Sequence, residues 1–312
     1  MIATLPIALA AGAASALMFV SILSGAPVSL LLFFLAPLPL MVAGLAWGAR
    51  AAALGGVAAT AMLSGLIDTS YGLGFAITVA LPAWWLSYLA VLGRPNAHVT
   101  PNPELEWYPV GRIVLWIAGL ATVTTAAALL TLGTDAATIS EALRQLLIRF
   151  AGQTEMTAEL EALATPLVSL APAAAIIFAS VRLLLMLWLA AKIAQTSGRL
   201  NRPWPDLKAT ELPLAALAIG ALAIVICFFG GLPAMLGKMV IAALLTAYTL
   251  TGLAVLHTLT LPLKGRALWL GCAYGLIAIL RWPALLIALL GLADAIFSIR
   301  RRVQKPPPLA AA

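Results

Sequence analysis

Apolar and polar positions divide the chain into long hydrophobic runs separated by short polar breaks. A run of about 20 residues is enough to cross the hydrocarbon core as an α-helix. The runs are continuous and rich in Ala and Leu, whereas strands of a transmembrane β-barrel alternate apolar and polar residues. The pattern predicts an all-α, polytopic transmembrane bundle with 8–10 membrane-inserted helices, and it favours ten over eight. The ten runs lie near residues 4–24, 28–48, 51–67, 72–93, 111–133, 172–195, 211–230, 235–261, 267–280 and 284–299.

The last two runs raise a question of length. Joined as one straight helix they would extend about 48 Å, which exceeds a hydrocarbon core of about 30 Å. A break is therefore expected at Arg281-Trp282-Pro283. This segment is predicted to be either a short helical hairpin or one tilted span.

The first run could be mistaken for a secretory signal, because small residues at 24–26 follow it. It has no basic segment before it, however, and another span follows at once. We interpret it as a retained helix. Residues 1–302 are then predicted to form a single integral membrane domain, and residues 303–312 a short cytoplasmic tail rich in Pro and Ala.

Composition agrees with a membrane location. Hydrophobic residues make up 63% of the chain and charged residues only 9%, against about 25% charged residues in soluble domains. The net charge of +7 is not taken to indicate nucleic acid, because the basic residues lie at helix ends, where they set the orientation in the membrane.

Basic residues are distributed unequally between the two predicted sides of the membrane. Loops on the side of the N-terminus carry 13 and loops on the opposite side carry 4, which predicts that both termini are cytoplasmic. The first group is Arg50, Arg94, Arg112, Lys192, Arg199, Arg202, Lys208, Lys264, Arg266, Arg300, Arg301, Arg302 and Lys305, and the second is Arg144, Arg149, Lys238 and Arg281.

Two segments outside the spans have distinct patterns. Residues 94–110 contain four prolines, which predicts an irregular cytoplasmic loop. Residues 138–150 predict an amphipathic extracytoplasmic helix, which begins with capping-box spacing at Thr138 and Glu141. It is expected either on the membrane surface or packed over the bundle. Its apolar face is Ile139, Leu143, Leu146, Leu147 and Phe150.

Recognised catalytic and metal-binding motifs are missing from the sequence. It contains no GxxxxGK[ST] loop and no HExxH, and its two histidines and two cysteines are dispersed. We therefore expect a protein that is not an enzyme and holds no metal or cofactor.

One ionisable residue lies deep inside an apolar run. Arg182 is ten residues after Pro172, which is expected to begin its helix. A charge at this depth costs about 2.5–3.5 kcal/mol on insertion scales, so it marks either a functional site or a structural pair. The candidate substrate-binding residues are Arg182, Asp68, Tyr71, Trp84 and Trp85. Ordinary packing is the alternative for the two tryptophans, and Asp294 is expected to meet Arg300 or Arg301.

Small residues of the first run, ALAAGAASA at 8–16, could let another helix approach closely. Ala10 and Ala14 are the candidate docking positions, either inside the bundle or against a partner subunit.

Four stretches resemble the YybS-like family of bacterial membrane proteins, a domain of unknown function. They are APLPLMVAGLAWG at 36–48, LNRPWPDLKATELP at 200–213, GLAVLHTL at 252–259 and GLADAIFSIRRR at 291–302. That family is similar in hydropathy to the S components of energy-coupling-factor transporters, which bind a substrate and dock on an ATPase module. S components typically have six spans, fewer than are counted here.

The resemblance implies a substrate-binding or transport subunit in the bacterial inner membrane, with an unknown small-molecule ligand and membrane lipid around it. The partner of such a subunit would be an ATPase module. The alternative is a non-enzymatic scaffold that holds cell-envelope proteins. A membrane enzyme ranks third, because no acid, base or metal cluster shares one depth.

Overall fold

The computed structural model describes residues 4–95, 105–150, 158–280 and 282–303. Nearly all of the described chain is helical, with one short pair of strands. The Pro/Ala-rich tail predicted at residues 303–312 lies outside the described residues apart from Val303.

The elements follow one another as α1 (Thr4–Val20), a 3₁₀ turn (Ser21–Ser24), α2 (Pro27–Leu35), α3 (Pro37–Trp47), α4 (Ala49–Leu66), α5 (Thr69–Phe75), a π-helical turn (Ala76–Ala80), α6 (Leu81–Ala90), β1 (Gly93–Pro95), β2 (Leu105–Trp107), α7 (Val110–Leu130), α8 (Ala136–Phe150), α9 (Ala158–Thr196), a 3₁₀ turn (Leu207–Ala209), α10 (Ala215–Ile226), a 3₁₀ turn (Cys227–Phe229), α11 (Gly231–Leu259), α12 (Arg266–Leu280), α13 (Pro283–Phe297) and α14 (Ile299–Val303).

Each of the ten predicted apolar runs is helical, which confirms a polytopic all-α membrane protein. Seven helical segments of the described chain are long and apolar enough to cross a membrane, and three more are apolar but shorter. The long segments are Thr4–Ser24, Pro27–Trp47, Ala49–Leu66, Thr69–Ala90, Val110–Leu130, Ala164–Thr196 and Gly231–Leu259, and the shorter ones are Ala215–Phe229, Arg266–Leu280 and Pro283–Phe297.

Buried apolar side chains form two main clusters. The first is built by six spans, namely α1, α2–α3, α4, α5–α6, α7 and α9, around residues such as Met41, Phe75 and Met186. The second joins α7, α8 and α9 to α10, α11 and α13 around Ile139 and Met239. Because α7 and α9 contribute to both clusters, they connect the six-span N-terminal half to the C-terminal half.

Glycines allow close backbone contact between α1 and α4. A Cβ added to Gly12 would lie 2.3 Å from the carbonyl oxygen of Gly55, and one added to Gly55 would lie 2.4 Å from that of Ala8. Without hydrophobic attraction between helices in lipid, such small-residue contacts supply van der Waals packing. Ala8 and Gly12 of the small-residue stretch in α1 therefore pack inside the bundle, against α4.

The helix is interrupted between Leu280 and Pro283, as predicted, which leaves two helices of 15 residues. Arg281, the first residue of the predicted break, lies outside the described residues. Each is about 22 Å long, short of a core of about 30 Å. The Oγ1 atom of Thr249, in the middle of α11, donates to the carbonyl oxygen of Ala284 at 3.4 Å. The start of α13 therefore lies beside the middle of α11, and the segment consists of two short helices rather than one continuous span.

The amphipathic helix α8 packs over the bundle, which decides between the two predicted placements. Ile139 and Ile148 are buried, whereas Leu146 is exposed, and Arg144 forms an ion pair with Glu161 on α9. The side chain of Phe150 lies outside the described residues.

The predicted cap of α8 is wrong by three residues. Asp135 is the N-cap, and its Oδ1 accepts from the N–H groups of Ala137 and Thr138, both at 2.9 Å. These hydrogen bonds, with that of Thr138 as the largest cause, lower the pKa of Asp135. Thr138 lies inside the helix, and its hydroxyl donates a hydrogen bond to Oδ2 of Asp135.

Three of the basic loops meet at one end of the bundle. Arg202 donates to the carbonyl oxygen of Ala90 at 3.0 Å, and Arg300 donates to the carbonyl oxygens of Lys208 and Thr210. The loop predicted to be irregular contains the paired strands β1 and β2, joined by Arg94 and Glu106 at 2.8 Å. Its residues 96–104 lie outside the described chain.

We expect this basic end to face the cytoplasm and α8 to face outward. Cysteine placed at exposed Glu141 on α8 should react with a membrane-impermeant maleimide in intact spheroplasts, and cysteine at exposed Asn201 only after lysis. Both variants need Cys227 and Cys272 replaced by Ala beforehand. Labelling of position 201 before that of position 141 would reverse the predicted orientation.

Candidate functional site

Arg182 lies near the middle of the longest helix, α9. It is about 27 Å from Ala164 and about 21 Å from Thr196 along the axis, and these residues bound the apolar span. Its guanidinium carbon is 5.7 Å from the ring centroid of Phe33 and 6.0 Å from that of Phe34. Such distances are at the outer limit of a cation–π contact.

The guanidinium of Arg182 has no acidic partner among the described residues. Its buried Nε has no hydrogen-bond partner within the described chain, and the ion pairs found among the same residues do not involve it. An arginine at this depth of a membrane helix ordinarily finds acceptors. The two phenylalanine rings are therefore weak partners for this charge.

The second span is broken beside Arg182. Ala36 separates α2 from α3, and Pro37 and Pro39 follow it without an N–H to donate, which disfavours a continuous helix. The N–H of Ala36 bonds to the carbonyl oxygen of Phe33 at 3.3 Å, a tighter turn than an α-helix makes. The carbonyl of Ala36 also accepts from the hydroxyl of Ser15 on α1 at 2.5 Å.

The helix of Arg182 begins earlier than predicted. It starts at Ala158, and both Pro166 and Pro172 lie inside it. Proline is tolerated in membrane helices where neighbouring groups satisfy the freed carbonyls. Pro166 and Pro172 leave the carbonyls of Ala162 and Val168 without the N–H groups that would normally bond to them.

Tyr71 belongs to the group of aromatic side chains that Arg182 contacts through Phe33. Phe19 packs against Phe33 at 5.2 Å between ring centroids, against Tyr71 at 5.1 Å and against Phe75 at 5.3 Å. The hydroxyl of Tyr71 donates to the carbonyl oxygen of Phe19 at 3.4 Å. Two rings, Phe19 and Phe33, therefore connect Tyr71 to Arg182.

Asp68 caps a helix and does not reach this group. Its Oδ1 accepts from the N–H of Ser70 at 2.7 Å at the start of α5. This backbone hydrogen bond is the main reason why the pKa of Asp68 is lowered. Asp68 is exposed, so its role in the structure is to begin the fourth span.

Trp84 and Trp85 lie too far along their helix to share a site with Tyr71. The separation from Tyr71 to Trp84 is about 20 Å along the axis. Trp85 stacks edge-on against Trp116 at 5.0 Å, and Trp84 lines a separate groove between α4 and α6. The structure therefore brings together Arg182 and Tyr71, while Asp68, Trp84 and Trp85 lie elsewhere.

The two candidate docking alanines are not on the packed face of α1. Ala10 is exposed and Ala14 is half-buried, whereas the contact with α4 uses Ala8 and Gly12. Contact of these two positions with a partner subunit stays a prediction.

Residues 13–295 match the family described as "Predicted membrane protein (DUF2232)". The chain belongs to this family. The match runs from α1 into α13 and so includes Arg182 and the aromatic group around it. No curated protein and no solved structure matches the chain. The family description states a membrane protein, which confirms the coarser part of the resemblance, and it names no activity.

The most complete charged site in the described part of this family member was predicted only as a pair. Asp294 and Arg300 are 6% and 4% exposed, and their side chains meet at 2.8 Å. Arg300 also donates to the carbonyl oxygens of Lys208 and Thr210, at 2.5 Å and 3.0 Å. This Arg300 cluster therefore ties the last helix to the polar link of residues 200–213.

Only part of the Arg300 cluster could be predicted from the sequence. Asp294 and Arg300 are close in sequence at the end of an apolar run, so their pairing could be predicted. The acceptors at Lys208 and Thr210 are backbone atoms about 90 residues away, and no side-chain pattern reveals them.

Proposed function

We propose that the protein is a non-enzymatic binding or transport subunit of the bacterial inner membrane, and that Arg182 recognises an anionic group of its ligand. The observation that carries this proposal is that Arg182, in the middle of α9, has no acidic partner and its buried Nε no hydrogen-bond partner among the described residues. A guanidinium presents a planar set of donors that fits a carboxylate or phosphate. A ligand anion would supply the acceptors that the described chain does not.

Access to Arg182 from the side supports an amphiphilic ligand. Phe34 and Phe178 meet edge-on at 5.4 Å between ring centroids, and Phe178 is 61% exposed on the outer surface of α9. Arg182 lies over the ring of Phe34. Displacement of these two rings would open a path from the lipid to the guanidinium.

The comparison with S components gains support from the division of the bundle. Six spans surround the first apolar cluster, α1 to α7 together with α9, and six is the number of spans typical of S components. The additional helices α10 to α13 extend beyond that unit. Such fold-level similarity supports a binding role and does not identify the ligand.

The proposal is tested with Arg182→Met. This change removes the charge, keeps an apolar stem and leaves no carboxylate unpaired, so the melting temperature in detergent should stay the same or rise. Native mass spectrometry of wild-type protein from its own membrane should find an anionic small molecule, which Arg182→Met loses and Arg182→Lys partly retains. The matched control is Lys238→Met, at an exposed position in another span.

If Arg182 instead has a structural role, Arg182→Met should lower the melting temperature and should not change the bound molecules. Breaking a buried ion pair costs about 3–5 kcal/mol, so a large drop in melting temperature without loss of a bound molecule would overturn the proposal.

The scaffold alternative is favoured by a different observation, the poor packing of α12. None of its residues, Arg266 to Leu280, is buried in the described structure, so a partner protein could cover it. Envelope proteins that co-purify with wild type, and are lost when Ile279 on α12 is changed to Arg, would support the scaffold. An ATPase module that co-purifies would support transport.

A further inference from the structure

A second candidate binding site lies away from Arg182, on the side of the bundle. A groove of about 790 Å³ runs between α7, α9, α12 and the polar link of residues 200–213. Its walls are almost entirely apolar, and Tyr274 on α12 closes one edge. The groove lies at the basic end of the bundle, because Arg202 and Trp204 form its floor.

One face of α9 provides the long wall of the groove. Val181, Leu185 and Trp188 are spaced four and three residues apart, so they lie on one side of the helix, and each is partly exposed. Lys192 follows four residues later on the same face. The stripe thus passes from aliphatic side chains through tryptophan to a cation, the order found from the hydrocarbon core to the headgroup region.

The length of the groove corresponds to half of a bilayer. From Val181 to Ala191 the wall rises about 15 Å, and a hydrocarbon core is about 30 Å thick. An acyl chain of one leaflet therefore fits along it, with its polar end at Lys192.

Two cations stand at the polar end of the groove without an acid. The ammonium of Lys192 lies 3.7 Å from the ring centroid of Trp204 and bonds to Gln195 at 3.1 Å. Arg202 uses one nitrogen on the carbonyl oxygen of Ala90, and burial lowers the pKa of Arg202. Neither residue forms an ion pair with any part of the chain that the structure describes.

We infer that this groove binds one phospholipid with an anionic headgroup, taken from the leaflet at the basic end of the protein. The acyl chain lies along Val181, Leu185 and Trp188. The headgroup phosphate lies between Lys192 and Arg202, where the net positive charge is complementary to it. A soluble anion would gain nothing from the apolar walls, and a zwitterionic lipid would match the charge less well.

The test uses the full chain in detergent, mixed with equal amounts of phosphatidylglycerol and phosphatidylcholine that carry identical acyl chains. Native mass spectrometry should show phosphatidylglycerol retained in preference to phosphatidylcholine. Lys192→Gln should weaken that retention about fivefold, because one basic residue near a lipid surface is worth about 1 kcal/mol. The matched control, Arg50→Gln, removes an exposed cation from another helix end and should leave retention unchanged.

A second variant tests the apolar part of the site. Leu185→Trp places a larger side chain in the groove at a partly exposed position, so it should fold normally and reduce retention of both lipids. Inorganic phosphate should not displace phosphatidylglycerol. Equal retention of the two lipids, an equal loss in Arg50→Gln and Lys192→Gln, unchanged retention in Leu185→Trp, or displacement by phosphate would each overturn the inference.

Discussion

Arg300→Met is expected to lower the free energy of unfolding by about 3–5 kcal/mol, because it leaves the carboxylate of Asp294 buried without its counter-ion. Asp294 is 6% exposed and also accepts from the backbone N–H of Arg300 at 2.9 Å, so that single bond would remain. The carbonyl groups of Lys208 and Thr210 would lose their donors as well. Thermal unfolding of the detergent-purified variant measures the loss.

Two further variants make this expectation specific. Arg302→Met removes a neighbouring charge from an exposed position and should change the melting temperature little. Asp294→Leu combined with Arg300→Met removes both charges, and apolar replacement of a buried pair is often close to neutral. The double variant should therefore be more stable than Arg300→Met alone. Equal losses in Arg300→Met and Arg302→Met would show that the pair contributes little.

Gly252→Ala is expected to have the second large effect, a loss of at least about 2 kcal/mol from overpacking. The new Cβ would lie 1.9 Å from the carbonyl oxygen of Ile287, and a backbone atom in a helix cannot move aside alone. Helices α11 and α13 would have to separate. On the other helix, a Cβ at Gly291 would lie 2.2 Å from the carbonyl oxygen of Tyr248.

The control for this prediction is Gly119→Ala in α7. A Cβ there meets no atom within 4 Å, and alanine favours a helix over glycine by about 1 kcal/mol. Gly119→Ala should therefore be neutral or stabilising in the same thermal measurement. If Gly252→Ala behaved like Gly119→Ala, the close approach of α11 and α13 would not be a feature of the folded protein.

The helices could be predicted from sequence because their cause is local. Each run is apolar over its length, and the break before Pro283 follows from a residue that cannot donate a backbone hydrogen bond. The same rule failed at Pro172, which lies inside α9. In a membrane helix, hydroxyl groups and adjacent turns can accommodate proline, so proline alone does not mark a helix start.

The candidate site was harder to predict because its members come from different helices. The charge of Arg182 was evident from its apolar surroundings, but its contact with Phe33 and Phe34 depends on how α2 packs against α9. Asp68 was proposed as a ligand residue because it is an acid at the end of a span. Its hydrogen bond to Ser70 explains that position by capping alone.

The Arg300 cluster also constrains the order in which parts of the protein can pack during synthesis. Lys208 and Thr210 precede Arg300 by 92 and 90 residues, and translation at about 5–20 residues per second takes roughly 5–20 s to cover that distance. During this interval the six-span N-terminal half can pack, because its core is supplied by residues made earlier. The polar link of residues 200–213 has no guanidinium donor for its carbonyl oxygens until Arg300 has been synthesised. A chain truncated before Arg300 would therefore leave the carbonyl oxygens of Lys208 and Thr210 without these donors.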